Sequence, residues 1–224
     1  MIKKRLFPLL ALLAAAPLVA APRAWVSVAA TAPKGSYVIG NPAARVKLVE
    51  YASYTCPHCG HFARESAAVL KGKMIASGSL SLEVRSAVHD RYDLVAAMLA
   101  RCSGPAIFPR LHDALFAGQE QWLQRAQDFD SSNGQRLGMY AAAAQYRAMA
   151  QGAGLDAIAR NAGMTQAAID QCLADPKVAE AVVERANAIS DKIAGTPAFE
   201  INGKLVQGID WAKLEPMLRA AGAK

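Results

Sequence analysis

Thr55-Cys56-Pro57-His58-Cys59-Gly60 joins two stretches of different period, and this junction restricts the fold more than any other part of the chain. Upstream, Arg45 to Tyr51 reads as a strand, with Val46, Leu48 and Glu50 on one face and Lys47, Val49 and Tyr51 on the other. Downstream, Phe62, Val69 and Leu70 recur at helical spacing, so Pro57 to about Ile75 reads as a helix. Cys56 then falls at the N-cap and Pro57 at the first helical position, where a missing N–H costs nothing. The positive end of the helix dipole faces the Cys56 sulfur and favours its thiolate. Two sulfurs this close can close as a disulfide or open to a dithiol, so the pair can carry two electrons.

Three other uses of the motif compete with redox chemistry. Half of a zinc site, helped by His58 or His61, lacks a second Cys-x-x-Cys or a His-x-x-x-His to complete four ligands. Haem attachment needs His directly after the second cysteine, where this chain has Gly60. A purely structural bridge would remove little loop entropy, because only two residues intervene. Redox chemistry is the leading reading. Glu50 continues the apolar face of the strand and points under the turn. A carboxyl there has a raised pKa by desolvation and can pass protons to and from Cys59, unless it lies at a solvated strand end.

At the N-terminus, Lys3, Lys4 and Arg5 precede an apolar run from Leu6 to about Val19, with small residues at Val19-Ala20-Ala21. This reads as a cleaved secretory signal over residues 1–21, with an uncleaved anchor as the alternative. The formal charge of +7 would fall to +4 on cleavage, too modest to argue for nucleic acid. Outside the cytoplasm, the other two of the four cysteines become informative. Cys102 shares an apolar stripe with Leu94, Val95, Met98 and Leu99, behind Asp90 as a plausible N-cap. Cys172 shares another with Ile169 and Leu173, opening at Thr165. Both face a core, either bridged as Cys102–Cys172 or as two buried thiols.

Elsewhere, Ala24 to about Ala30 reads as a first strand, followed by a Pro/Gly/Asn-rich connection through Pro42. Leu80 to Val88 reads as a further strand. From Tyr92 to Ile193 alanine-rich helical patterns alternate with breaks at residues 103–105, 131–134 and 152–154. Asp175-Pro176 opens the last of these helices, with Val178, Val182, Ile189 and Ile193 along one side. His89 and His112 lie outside any constellation of charged partners and read as surface or structural residues, and Trp122 and Phe129 read as packing residues. After Gly195-Thr196-Pro197, the dipeptide Asn202-Gly203 between two short apolar runs signals a hairpin. Trp211, Leu214 and Leu218 then suggest a closing helix that Pro216 should kink or delay.

With these pieces in place, the chain resembles the DsbA-like thiol:disulfide oxidoreductases of the thioredoxin superfamily. The resemblance rests on Glu50, Ser53-Tyr54-Thr55-Cys56-Pro57-His58-Cys59, the helical insertion, Gly195-Thr196-Pro197 and Phe199-Glu200-Ile201-Asn202-Gly203-Lys204. It implies an α/β, thioredoxin-like fold over residues 24–90 and 194–224, with an all-helical insertion over 91–193 whose last helix packs on the thioredoxin core. It implies that Cys56 attacks and Cys59 resolves, that Pro57 and His58 favour a stable thiolate, and that Glu50 is the family's buried acid. Pro197 takes the role of the family's cis-proline, with Thr196 presenting backbone hydrogen bonds to an extended substrate. The implied activity is donation of the Cys56–Cys59 disulfide to folding secreted proteins in the periplasm, by a monomer that a DsbB-like membrane thiol oxidase reoxidises. An isomerase or reductase of the same fold is the alternative. Neither cofactor nor metal is implied.

Overall fold

The computed structural model describes residues 24–224, so the signal-peptide reading of residues 1–21 lies outside the described residues. A six-stranded sheet forms the centre, in the order β1-β2-β4-β3-β5-β6. Its strands are β1 (Ala29–Thr31), β2 (Tyr37–Gly40), β3 (Val46–Ala52), β4 (Leu80–Ser86), β5 (Ala198–Ile201) and β6 (Lys204–Gln207). β3 runs parallel to β4, with Leu48 opposite Leu82, and antiparallel to β5, with Glu50 opposite Phe199. Burial on both faces explains its nearly unbroken apolar sequence, in which Lys47 alone is exposed. Val46, Leu48 and Ala52 join the main core, while Val49 and Tyr51 pack on the other face with Ala87, Ile189 and Ala198.

The helices are α1 (Pro57–Ser66), α2 (Arg91–Cys102), α3 (Phe108–Ala117), α4 (Gln119–Leu137), α5 (Ala142–Ala153), α6 (Leu155–Asn161), α7 (Gln166–Ala174), α8 (Pro176–Ser190) and α9 (Trp211–Ala221). Capping starts several of them. Asp90 accepts from the N–H groups of Tyr92 and Asp93, Thr165 from Ala168, Asp175 from Lys177 and Asp210 from Lys213. The Asn202-Gly203 turn joins β5 to β6 with φ of 50° and 83°, the left-handed region that such a hairpin requires. Cys102 and Cys172 are bridged, tying the end of α2 to α7.

Several local expectations are corrected. The region expected as a first strand is a 3-10 turn over Trp25–Ser27 with a short strand behind it, and Trp25 packs its indole against Gly78. β2 lies inside what reads as a connection, because four residues between Gly35 and Pro42 are too few to display a period. The expected single helix from Pro57 to Ile75 is α-helical to Ser66 and then π-helical over Ala67–Ile75. The expected break at 131–134 is helix: Ser131, Ser132 and Asn133 each hydrogen-bond the carbonyl four residues back, inside α4. α9 runs through Pro216, which sits on its exposed face.

Candidate active site

β3 delivers the chain to the start of α1, and the turn between them carries both cysteines. Cys56 is the N-cap of α1 with extended backbone, Pro57 is the first helical residue, His58 is exposed and Cys59 is completely buried. Both cysteines are free thiols, so this is the dithiol form. The Thr196-Pro197 peptide is cis, and Cys56 Sγ lies 3.3 Å from the Thr196 carbonyl oxygen, to which its thiol donates. Two segments separated by 140 residues thus meet at one sulfur.

The two thiols are driven apart. The Cys56 thiol is held down at about 4, chiefly because the Cys59 thiol donates to it. The Thr196 side chain and the N–H groups of Cys59 and His58 add to this, against the opposing effect of burial. Cys59 is pushed up, first by the hydrogen bond it gives Cys56, then by burial and by the Glu50 carboxylate. One sulfur is a ready nucleophile and the other a proton holder.

Glu50 lies beneath the turn, on the β3 face that carries Leu48 and Ala52, and is 2 % exposed. Burial raises its carboxyl to about 7, with the charge of Lys71 pulling the other way. Its Oε1 is buried without a hydrogen-bond partner. A carboxyl that is half protonated near neutral pH and electrically coupled to Cys59 can exchange a proton with it.

The helical segment contributes side chains that sequence reading missed. Asp93, in the first turn of α2, is buried and accepts from the N–H groups of Tyr54 at 2.8 Å and His89 at 3.0 Å. Burial raises it to about 6, while the Ser53 hydroxyl and those two N–H groups hold it down. Asp90, besides capping α2, accepts the Thr55 hydroxyl at 2.6 Å. Gln119 opens α4 and is buried. Its Nε2 donates to the Tyr54 and Cys56 carbonyls, each at 2.9 Å. Its Oε1 lies only 2.0 Å from where a Cβ on Gly60 would sit, so glycine follows Cys59 for lack of room. A polar residue just after Gly118, at a helix start buried against apolar neighbours, is the only trace of this role in the sequence.

His112 is structural, as expected: it is buried, takes part in an aromatic cluster with Tyr54, Phe108 and Phe116, and places Nδ1 3.1 Å from the Tyr54 hydroxyl. Burial keeps it well below the usual imidazole range, and the charge of Lys71 adds to that. His89 departs from expectation. Its Nε2 lies 3.3 Å from Thr196 Oγ1, so it belongs to the surroundings of Cys56. A cleft of about 320 Å³ opens beside the turn, lined by His58, Phe62, Thr196, Pro197, Ile209 and Trp211. Phe62, Pro197, Ile209 and Trp211 form its apolar lining, and His61, Glu65, Asp210 and Lys213 complete it with polar groups. Among the described residues no group of three or more His, Cys, Asp or Glu is arranged to hold a metal ion.

Comparison with known proteins agrees with this arrangement. The thioredoxin family's sequence profile matches residues 32–220. A provisionally named protein-disulfide oxidoreductase of Rickettsia bellii is 31 % identical over 169 residues, which are 74 % of this chain and 56 % of that protein. The chain thus spans only about half the length of the curated relatives it matches. Among solved structures, one described as a protein-disulfide isomerase from Novosphingobium aromaticivorans is 36 % identical, with a TM-score of 0.74 over 83 % of this chain and 96 % of that one. The alpha-DsbA1 of Wolbachia pipientis, 22 % identical with a TM-score of 0.66 over 85 % of this chain and 92 % of its own, shares the fold. The chain therefore belongs to the thioredoxin family, and its fold, with α2 to α8 between β4 and β5, is shared with the Wolbachia structure.

Proposed function

We propose that the chain is an exported protein thiol:disulfide oxidoreductase that donates its Cys56–Cys59 disulfide to reduced proteins. The observation that carries this reading is the placement of the two thiols, Cys56 as the N-cap of α1 with its sulfur 3.3 Å from the carbonyl before the cis-proline and Cys59 completely buried one turn on, which favours a thiolate at Cys56 and a thiol at Cys59. A disulfide whose reduced form is stabilised as a Cys56 thiolate is a strong electron acceptor. In the first step a substrate thiolate attacks Cys56 Sγ, the Cys56–Cys59 bond breaks, and Cys59 leaves as a thiolate. Glu50, half protonated near pH 7, supplies the proton it takes up. In the second step another substrate thiolate attacks the substrate sulfur of the mixed disulfide and Cys56 departs. The substrate has lost two electrons and the Cys56–Cys59 pair has gained them. Pro57 and His58 shape the turn, while Thr196 and Pro197 face the incoming peptide across the cleft.

The same reading includes a signal over residues 1–21, residence in the periplasm, a monomer acting on folding secreted proteins, and reoxidation by a DsbB-like membrane thiol oxidase. It divides the mature chain into a thioredoxin-like part, 24–90 with 194–224, and a helical insertion, 91–193. A second reading, isomerase, is favoured by the name of the Novosphingobium relative. One experiment separates the two. Incubation with a reduced unfolded protein, and separately with a scrambled one, should yield faster disulfide formation than reshuffling, and an equilibrium with glutathione that favours the dithiol enzyme. Faster reshuffling than disulfide formation, begun by attack of the dithiol enzyme's Cys56 thiolate on a substrate disulfide, would replace oxidase by isomerase.

A further inference from the structure

The face of the sheet turned away from Glu50 looks across a gap at α8. Tyr51 in β3 and Glu83 and Arg85 in β4 form the floor of this gap, and Arg185 stands opposite on the helix. Ala181 and Ala188, one turn to either side of Arg185, end at Cβ, which leaves a cleft of about 480 Å³ between helix and sheet. Its volume is that of a small-molecule site, but its lining is charged. Four basic side chains, Arg85, Arg101, Arg185 and Lys192, outnumber two acidic ones, Glu83 and Glu184. Glu200 stands outside the lining, where it accepts the Tyr51 hydroxyl at 2.6 Å and lies 3.6 Å from Arg85.

Arg185 is poorly served by these acids. Glu83 is held by Arg85 through two hydrogen bonds of 2.8 Å, and its Oε1 also accepts the Ser36 hydroxyl at 2.6 Å. What remains for Arg185 is a contact of 3.5 Å to that same oxygen. Its other acceptors are neutral, Ser36 Oγ at 3.2 Å and the Pro33 carbonyl at 3.5 Å, and its Nε is buried without a partner. The side chain is only 14 % exposed, so the charge is largely withdrawn from water without a carboxylate of its own. Burial, and next the like charge of Arg85, make its protonated form less favourable than usual. We propose that the cleft binds a small oxygen anion of two or more charges, a phosphate or an oligocarboxylate, which pairs with Arg185 and Lys192. The charge of the ligand follows from the excess of two cations in the lining, and its size from the volume. A guanidinium offers such oxygens a planar pair of donors, and the exposed Lys192 adds a point charge from the solvent side.

Glu50 and Tyr51 alternate on opposite faces of β3, so the cleft lies across the sheet from the cysteines and the inference is independent of the function proposed above. Isothermal titration of the full chain with inorganic phosphate, and separately with citrate, at an ionic strength held constant with sodium chloride, measures binding directly. Wild type should bind at least one of the two saturably, at one ion per chain. Lys192→Ala should weaken that binding about fivefold, equivalent to about 1 kcal/mol. Lys192→Glu, a charge reversal at an exposed position, should abolish it over the same concentrations. Ala188→Glu, which brings a carboxylate into the cleft from an exposed helix position, should do the same, with circular dichroism confirming that both variants fold. Tighter binding of phosphate than of citrate assigns the site to phosphorylated ligands, and the reverse order assigns it to oligocarboxylates. Wild type that binds neither ion saturably overturns the proposal. Binding that persists unchanged in Lys192→Glu and Ala188→Glu overturns it as well, because the ion then sits elsewhere.

Discussion

The protein has two cysteine pairs, and their surroundings differ in nearly every respect. Cys56 and Cys59 are separated by one helical turn at the start of α1, with backbone N–H groups, the Thr196 carbonyl and Glu50 gathered about them. Cys102 and Cys172 are 70 residues apart in sequence, come from two packed helices, and are flanked by Met98, Leu99, Ile169 and Leu173. The first pair is built of unequal partners, one stabilised as a thiolate and one held as a thiol. The second joins two like positions on apolar stripes. Cysteine chemistry is therefore set by donors and charge placed around the sulfur, and a sulfur without them serves as a cross-link.

The largest effect should come from making the unequal pair incomplete. Cys59→Ser leaves Cys56 nucleophilic and removes the internal route out of the mixed disulfide, so substrates should accumulate as covalent adducts on non-reducing gels. Turnover should fall by orders of magnitude. Replacing both Cys102 and Cys172 by serine should leave the oxidation rate within about twofold of wild type, and a large loss there would break the comparison. That double variant should instead lose stability, by about 4 kcal/mol from the entropy of a 70-residue loop, measured by denaturant unfolding.

Next in size is the pH response of the acid under the turn. Glu50 has its native pKa raised from 4.5 to about 7, so the folded chain binds more protons than the unfolded one between those values. Stability contributed by this site is present at low pH and is lost as pH climbs from about 4.5 to about 7, by up to about 3 kcal/mol. Glu50→Gln should flatten that part of the curve and make the protein more stable than wild type at pH 8. A shallower fall between 3.8 and about 6 should persist, because Asp93 is raised in the same sense. An identical curve for wild type and Glu50→Gln would mean that the acid is hydrated.

A smaller effect sharpens the comparison from the backbone side. Gln119→Leu removes the donor that the Tyr54 and Cys56 carbonyls share and should cost about 2 kcal/mol, read by thermal or urea unfolding. The reactivity of Cys56 toward an alkylating agent should change with it, while the Cys102–Cys172 bridge should not respond.

Much of this was legible in the chain, for reasons that also explain the gaps. The β3–turn–α1 unit is continuous, so period, N-cap and Pro57 could be read together, and Glu50 followed from strand alternation. Asp90, Thr165 and Asp175 announced their helices because capping is a local interaction. The contacts of Asp93, Gln119 and His89 are not legible, because each meets a partner 39 to 107 residues away. Nothing in the sequence sets Asp93 apart from any first-turn acid, or Gln119 from any first residue of a polar helix. Serines 131 and 132 misled for the opposite reason. Their side chains bond their own helix, and sequence alone does not say whether such residues end a helix or ride along it.

The grip of Gln119 and Asp93 on the turn has a consequence for anyone who would shorten or recombine this protein. A smaller version made by excising the helices and joining residue 90 to residue 194 would keep both cysteines, Glu50 and Pro197. It would lose the amide under Cys56 and the carboxylate behind Tyr54. The Tyr54 carbonyl would then lose its amide donor, the Cys56 carbonyl would keep only the Gly60 N–H, and Gly60 would border an empty space where Gln119 had been. Grafted helices from another protein would serve only if they carried an amide donor and a buried acid at the same two places. The inserted helices behave as the second jaw of a vice, and the spacing between residues 93 and 119 is the dimension a designer would have to copy.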